Sequence, residues 1–551
     1  MPASGTVTSD SGFEAADGNL AVNSTFDWNG FAPTVWTGTA PYRTTQKTVA
    51  SGWALTGLED AQATTSDTAF AGGVKQDDDC AVVGAGKAPN KDDLKRIYVG
   101  SNTVGGDIFL TLAWARIKQN TTSPSAHVGF EFNQGETACG GSSDGLVRRT
   151  AGDMLIVYDF EGGSADTPRL TLRRWVTSGS CEVGSSAPPC WGPATDLTAL
   201  GFAEARVNTS LVGPVSDQIA PSPETLGVNE FGEAGINLTD AGVFTGSECV
   251  AFGSAFGVSR SSGNSAQAQM KDLVGPGEIN ITNCGRVVIR KATDPSPDPT
   301  DSTFTYATTG GLSPSTFSLK DGDAQDYGGE VFAGQYTVTE DDPGPTFDLD
   351  EVTCEASDTT HGTTIQINGA TVSFDLKPLD TVDCTYVNDL RTGAIEITKT
   401  RKHAADGPGD HPHAGVDFAV TGTGVDTTVT TGADGTACVD GLLFGDYTVT
   451  EDTPAGYAAN APQGVTVSAV STCGDGNEVA VSFHNTPLTD VTVSVDSQVV
   501  GGTASSIVCT DADGNVVSGT TGAGGDGSVT VGDLPPTDPS VTLTCEVTVD
   551  P

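Results

Sequence analysis

The chain has 551 residues and carries 71 acidic against 26 basic side chains, a formal charge of −45. A surface this negative repels nucleic acid and anionic membranes, which removes both as partners. At roughly 150 residues per domain, the length calls for three to five domains rather than one core.

The sequence opens Met1-Pro2-Ala3-Ser4-Gly5 and closes Asp550-Pro551, with no signal peptide, membrane span, wall-sorting motif or apolar tail. A mature ectodomain with an added initiator is the expectation, either cut short at its C-terminus or not anchored through that end. Gly is abundant (70 residues) and Thr, Val, Asp and Ser recur, while no stretch shows apolar residues at i, i+3, i+4. That is the composition of short strands joined by turns, so an all-β chain is expected.

All six tryptophans (Trp28, Trp36, Trp53, Trp114, Trp175, Trp191) precede residue 200. They mark residues 1–284 as an aromatic-bearing head. Alternating runs at 107–117, 127–133, 154–160 and 169–176, separated by Gly/Ser/Asp turns, predict a β-sandwich or jelly roll. Asp107, Glu131, Asn133, Gln134 and Asp159 lie on or beside these runs, with Trp114 and Trp175 near. Carboxylates beside an aromatic platform suit a lectin, and two of them would suit a glycosidase; ordinary outward-facing polar residues around core tryptophans give the same pattern. No Ser/His/Asp set is evident, because His127 is the head's one histidine. Asp77-Asp78-Asp79 before Cys80 is the one place in the head where calcium is considered; otherwise no cofactor and no metal is expected.

The twelve cysteines contain no CxxC pair, which argues against zinc and redox motifs. Cys354 and Cys384, Cys438 and Cys473, and Cys509 and Cys545 fall one pair to each of three successive segments. Even counts read as disulfides formed in an oxidising compartment. The sequence does not decide the pairing of the other six; Cys80–Cys139, Cys181–Cys190 and Cys249–Cys284 are the pairs expected.

From residue 285 a repeat of about a hundred residues appears. GRVVIRK at 285–291 answers GAIEITK at 393–399, GQYTVTED at 334–341 answers GDYTVTED at 445–452, and DCTYVN at 383–388 answers AVSFHN at 480–485. Domains at 285–390 and 391–488 follow, joined by connections of a few residues. A last segment, 489–551, echoes the pattern faintly.

Side chains two apart on a strand share a face. Ile395, Ile397 and Lys399 therefore align, as do Tyr447, Val449 and Glu451, and Val481, Phe483 and Asn485. The first repeat offers Val287, Ile289, Lys291; Tyr336, Val338, Glu340; and Cys384, Tyr386, Asn388. A Lys, a Glu and an Asn each end an apolar face. Burial favours a neutral amine beside a protonated carboxyl. The amine is then a nucleophile and the carboxamide an electrophile, with the carboxyl able to shuttle protons between them. The product is a Lys–Asn isopeptide bond with loss of ammonia. A buried Lys–Glu ion pair hydrogen-bonded to Asn would use the same residues without chemistry.

The order G-x-x-x-[VI]-x-K, then DG…GL…G-x-Y-T-V-T-E, then a strand ending in Asn resembles the collagen-adhesin B-type (Cna B) repeat. The resemblance covers about 285–488. It is closest in the second repeat, which also holds Asp434-Gly435, Gly441-Leu442 and Gly445; the first adds a cysteine pair and lacks the DG-to-GL block. It implies tandem prealbumin-like (immunoglobulin-like) β-sandwich domains of the kind that build Gram-positive pilins and adhesin stalks. It also implies cross-links Lys291–Asn388 and Lys399–Asn485, assisted by Glu340 and Glu451. The head resembles N-terminal regions of actinobacterial surface proteins, which implies no site.

Segment 489–551 contains neither Lys nor Arg, so Cys509–Cys545 is its staple. His403, His411 and His413 with Asp406 and Asp410 read as a solvated Gly/Pro loop rather than a metal site. Asp511, Asp513 and Asn515 read as a hairpin turn, since no Glu follows at calcium-loop spacing. The expected protein is a secreted cell-surface adhesin or pilin. Its head would bind a host or environmental protein or glycan, and its stalk would self-cross-link and could self-assemble. It is not an enzyme otherwise. A carbohydrate-active enzyme or lectin with Cna B-type accessory modules, and a structural filament subunit, are the alternatives.

Overall fold

In the computed structural model the described residues are 6–31, 43–60, 67–117, 124–141, 145–162, 167–185, 187–215, 224–244, 248–263, 265, 267–402, 408–496, 498, 505–511, 514–522, 526–534 and 542–548. Contacts gather the chain into two compact units. One comprises Met1–Ala292, Ser302–Asp341 and Val352–Tyr386, and the other Thr293–Asp301, Asp342–Glu351 and Val387–Pro551. The architecture is all-β, as composition predicts; the described helices are single turns such as Val7–Ser11 and Leu197–Leu200. No helix among the described residues is long and apolar enough to cross a membrane.

The head is a sandwich of two antiparallel sheets. The first runs Arg43–Ala50, Trp53–Glu59, Leu94–Val104, Asp107–Arg116, Phe231–Asn237, Ala203–Val207. The second runs Cys190–Trp191, Arg169–Val176, Met154–Phe160, Ala126–Asn133, Ala251–Arg260, Met270–Thr282, Asp67–Phe70, Val83–Gly86. Between them lies a core that includes Ile97, Leu112, Phe130, Ile156 and Phe252. Strand Met154–Phe160 is buried along its whole length, because both of its faces are covered. Ile156 and Tyr158 enter the inter-sheet core, while Leu155 and Val157 pack on Trp175 and Trp191. The N-terminal segment adds a further layer, seating Phe13 and Trp28 against Trp53, Tyr98 and Phe109.

The repeats are sandwiches of the same design. In the first, one sheet runs Ala324–Asp326, Cys284–Asp294, Thr381–Leu390, Phe347–Ala356 and the other Thr316–Leu319, Phe304–Thr309, Gly334–Glu340, Thr371–Leu376, Thr364–Asn368. In the second, Thr392–Arg401 lies between Thr436–Leu443 and the last strand, Val479–Asn485, which runs parallel to it. The facing sheet is Val425–Thr430, Asp417–Gly422, Gly445–Glu451, Gln463–Val467. A parallel pairing of first and last strands needs a long crossover, and here the rest of the domain is that crossover. The 489–551 segment forms two small sheets around Ile507, Cys509, Val529 and Val531.

All twelve cysteines are joined, as Cys80–Cys139, Cys181–Cys190, Cys249–Cys284, Cys354–Cys384, Cys438–Cys473 and Cys509–Cys545.

Candidate functional site

The second repeat concentrates its polar chemistry at one buried point. Lys399, Glu451 and Asn485 end the inward faces of their strands, and all three are buried, Lys399 and Asn485 completely. The Lys399 Nζ lies 2.5 Å from Asn485 Oδ1 and 2.8 Å from Glu451 Oε1. Below them the core is Ile395, Ile397, Phe418, Val449, Val481 and Phe483, so no water competes for the amine from that side. Burial pulls the Lys399 pKa below the usual lysine range, opposed by the hydrogen bond and charge of Glu451.

The backbone of Lys399 is clamped from both sides. Its N–H donates to Gly435 O at 2.7 Å, and its carbonyl accepts from His413 N–H at 3.0 Å. Gly435 takes φ +77°, and a Cβ there would stand 2.5 Å from Lys399 O. Only glycine fits this approach, which gives the Asp434-Gly435 turn a structural task.

Two residues complete the site that sequence periodicity does not single out for it. The Asn460 carboxamide nitrogen donates to Glu451 Oε2 at 2.5 Å and to Asn485 Oδ1 at 3.0 Å. His413 is buried, with its Nδ1 3.2 Å from Asn485 Nδ2 and its ring 5.0 Å from that of Tyr457. The solvated-loop expectation thus fails for His413, because the short strand His411–Pro412 pairs with Thr400 and Arg401 and turns it inward. His403 and Asp406 lie outside the described residues.

In the first repeat Lys291 Nζ stands 3.0 Å from Glu340 Oε1, both side chains out of solvent. Lys291 also donates to Tyr386 O at 3.4 Å and faces the Phe304 ring at 4.3 Å. The Tyr306 hydroxyl donates to Glu340 Oε1 at 3.0 Å. Tyr306 pairs with Glu340 as Phe418 pairs with Glu451 in the second repeat, so a phenol here occupies the position of a bare ring there. Asn388, two residues beyond Tyr386 on the same strand, is fully buried. Burial lowers the Lys291 pKa, again against Glu340.

The head residues separate into different environments. Glu131 and Asn133 come together with Asp153, whose Oδ2 accepts from Asn133 at 3.0 Å. Glu131 is 1% exposed and pairs with Arg149 at 2.6 and 2.9 Å. The Arg149 guanidinium in turn lies 4.8 Å from the Trp175 ring and 5.0 Å from Trp191. Gln134 sits beside them, its N–H on Asp153 at 2.9 Å. Trp114 is elsewhere, fully buried against Tyr158, with Gly232 packed on its indole. Asp107 is on the other sheet, at the hairpin next to Val104, and Asp159 is engaged with His127. An aromatic platform open to a ligand is therefore not what Trp114 and Trp175 make. All five described tryptophans are core residues; Trp36 lies outside the described residues.

Asp77, Asp78 and Asp79 do not converge. Asp77 accepts from Ser185 and Trp191 N–H, Asp78 caps Lys75 N–H, and Asp79 pairs with Arg148 at 3.0 Å. Asp511 accepts both the N–H and the side-chain amide of Asn515 at 2.8 Å, as a hairpin turn requires; Asp513 lies outside the described residues.

Tandem sandwiches, each with a Lys and a Glu buried together, define the structural class. Residues 287–390 match one family model and residues 393–477 a second, each described as a prealbumin-like fold domain. No curated protein matches the chain. Among solved structures, the Bacillus anthracis TIE protein is similar over 82% of this chain and 69% of its own, at 12% identity and TM-score 0.29. A C-terminal fragment of the pilus adhesin SpaC from Lactobacillus rhamnosus GG is similar over 37% of this chain and 97% of its own, at 16% identity and TM-score 0.25. A Mobiluncus mulieris adhesin containing disulfide, isopeptide and ester cross-links is similar over 52% and 90%, at 11% identity and TM-score 0.18. Similarity at this level carries no argument about function.

Proposed function

We propose that the chain is a secreted, cell-surface protein of the Gram-positive adhesin or pilin type, with a head at 1–284 that contacts a surface ligand. Domains at 285–390 and 391–488 act as a stalk, each closed by an intramolecular isopeptide bond, and 489–551 is closed by its disulfide alone. The observation that carries this reading is the buried contact of Lys399 with Asn485 at 2.5 Å beside Glu451.

The chemistry runs as follows. The neutral Lys399 amine attacks Asn485 Cγ, forming the Nζ–Cγ bond. Glu451 takes the proton lost by Nζ and delivers it to Nδ2, and the Cγ–Nδ2 bond breaks with departure of ammonia. Asn460 is placed to donate to Oδ1 as negative charge develops on it. By the sequence repeat, Lys291 and Asn388 form the equivalent bond, assisted by Glu340.

A glycosidase reading of the head finds less support. Glu131 is buried and committed to Arg149, and Asp159 to His127, so neither is free to face a sugar. The stalk reading is tested by tryptic mapping of the reduced protein. A branched peptide joining Lys399 to residue 485 supports it; separate linear peptides with an intact Asn485 overturn it.

A further inference from the structure

Three aspartates meet in the interior of the head, and a fourth, Asp93, stands near them. Asp60 follows strand Trp53–Glu59, Asp67 opens Asp67–Phe70, Asp93 precedes Leu94–Val104, and Asp272 lies opposite Ala69 in Met270–Thr282. Their exposures are 4, 3, 2 and 0%. One carboxylate oxygen from each of Asp60, Asp67 and Asp272 falls within 4.8 Å of the other two.

Each of these three carboxylates is fixed by a donor. Ala88 N–H reaches Asp67 Oδ2 at 2.9 Å, Leu94 N–H reaches Asp272 Oδ2 at 2.7 Å, and the Thr68 hydroxyl reaches Asp60 Oδ1 at 2.6 Å. The remaining oxygens of Asp67 and Asp272, and Oδ1 of Asp93, are buried without a hydrogen-bond partner. Lys87 and Lys95 act on Asp93 from a distance. Among the described residues, no basic side chain pairs with Asp67 or Asp272.

A buried carboxylate oxygen with no donor costs several kcal/mol, and like charges beside it add to the cost. Either shared protons or a bound cation relieves this. The geometry favours the cation. Oxygens sharing one calcium ion at about 2.3–2.6 Å can stand up to about 5 Å apart, which accommodates the observed spread. Backbone and hydroxyl donors holding the outer oxygens are the support that orients metal ligands. An all-carboxylate set selects a hard ion over zinc or copper.

We propose that Asp60, Asp67 and Asp272, with Asp93 beside them, form a structural cation site in the head, and that its ion is calcium. The site ties two strands, the end of a third and the start of a fourth into one centre, a role distinct from the cross-links of the stalk.

The test uses the full chain, stripped with chelator at neutral pH and titrated with calcium chloride, with uptake read by equilibrium dialysis and unfolding by calorimetry. Wild type should take up calcium at one high-affinity site and melt higher with it. Asp272→Asn keeps an acceptor for the Leu94 amide, and it should weaken that site at least about tenfold. Asp272→Asn should also melt no lower than wild type in chelator, since it removes one of the opposed charges. Asp67→Asn gives the same readout if Asp272→Asn does not fold. Wild type without high-affinity uptake, both variants binding as wild type does, or magnesium binding as tightly as calcium would each overturn the proposal. Carboxyl bands in the infrared would then show the shared protons instead.

Discussion

Lys399 Nζ and Asn485 Oδ1 are 2.5 Å apart at the closed end of a sandwich, 86 residues apart in sequence, and neither side chain reaches solvent. They lie on parallel neighbouring strands in which Lys399 is registered with Phe483 and Arg401 with Asn485. A bond between them would close nearly the whole domain into a covalent ring. The geometry makes Asn460 testable first. Removing one donor to a developing oxyanion slows catalysis on the order of 100-fold or more. Asn460→Ala should therefore leave newly made protein largely unlinked at Lys399, with the linked fraction rising over time by mass spectrometry. Linking as fast as in wild type would assign Asn460 a packing role only.

Reduction should separate the stapled segments. Cys509–Cys545 spans 36 residues and is the one covalent closure of its segment, contributing about 3–4 kcal/mol by loop entropy. A Lys399–Asn485 bond spans 86 residues and contributes about 4–5 kcal/mol on the same scale. With reductant, hydrogen exchange of the full chain should lose protection at 506–510 while 395–399 stays protected. Lys399→Met should make 395–399 sensitive as well. Equal protection of wild type and Lys399→Met under reduction would mean that the bond is absent or without effect on stability.

In the head, Glu131 is predicted to hold the fold rather than to touch a ligand. Removing one partner of a buried ion pair costs about 3–5 kcal/mol, because the other charge stays buried and uncompensated. Glu131→Ala should cost this much in urea unfolding, since Arg149 remains against Trp175 and Trp191. The double variant Glu131→Leu, Arg149→Met should recover most of the loss. A near-neutral Glu131→Ala would contradict this structural role.

His361 and Asp380 predict a pH dependence for the first repeat. The hydrogen bond that His361 donates to Asp380 raises the His361 pKa above 6.5, with burial opposing. Burial works to raise the Asp380 pKa, but hydrogen bonds from His361 and Thr363 bring it below 3.8. The histidine's contribution is complete below its unfolded pKa of 6.5 and is lost as pH rises through its raised folded value. The aspartate's is present above 3.8 and lost as pH falls. Their joint contribution is therefore greatest between these two values. His361→Gln should lower the melting temperature at about pH 5 and match wild type at about pH 9. A constant difference across that range would contradict the pairing.

How far the sequence was legible follows from which signals are periodic. Alternation along GAIEITK, GDYTVTE and AVSFHN places Lys399, Glu451 and Asn485 on inward faces, and the structure has them there. Asn460 and His413 lie off the repeat's main strands, where no period announces direction, so their approach to Asn485 was not visible. The head was harder to read because its strands are covered on both faces. Met154–Phe160 is buried throughout, so continuous apolar runs did not distinguish inner from outer residues. The same covering turned the tryptophans into core. Asp272 lies far along the chain from Asp60 and Asp67, and only the closed sandwich brings the three together.

The most direct test of the central claim is the intact mass of the fully reduced protein, beside that of Glu451→Ala. Reduction restores the hydrogens lost to disulfides, so any remaining deficit belongs to other bonds. Wild type should be lighter than its sequence mass by one ammonia for each linked repeat, and Glu451→Ala should regain one ammonia. A wild-type mass equal to the sequence mass would show that Lys399, Glu451 and Asn485 form a buried ion pair and hydrogen bond only.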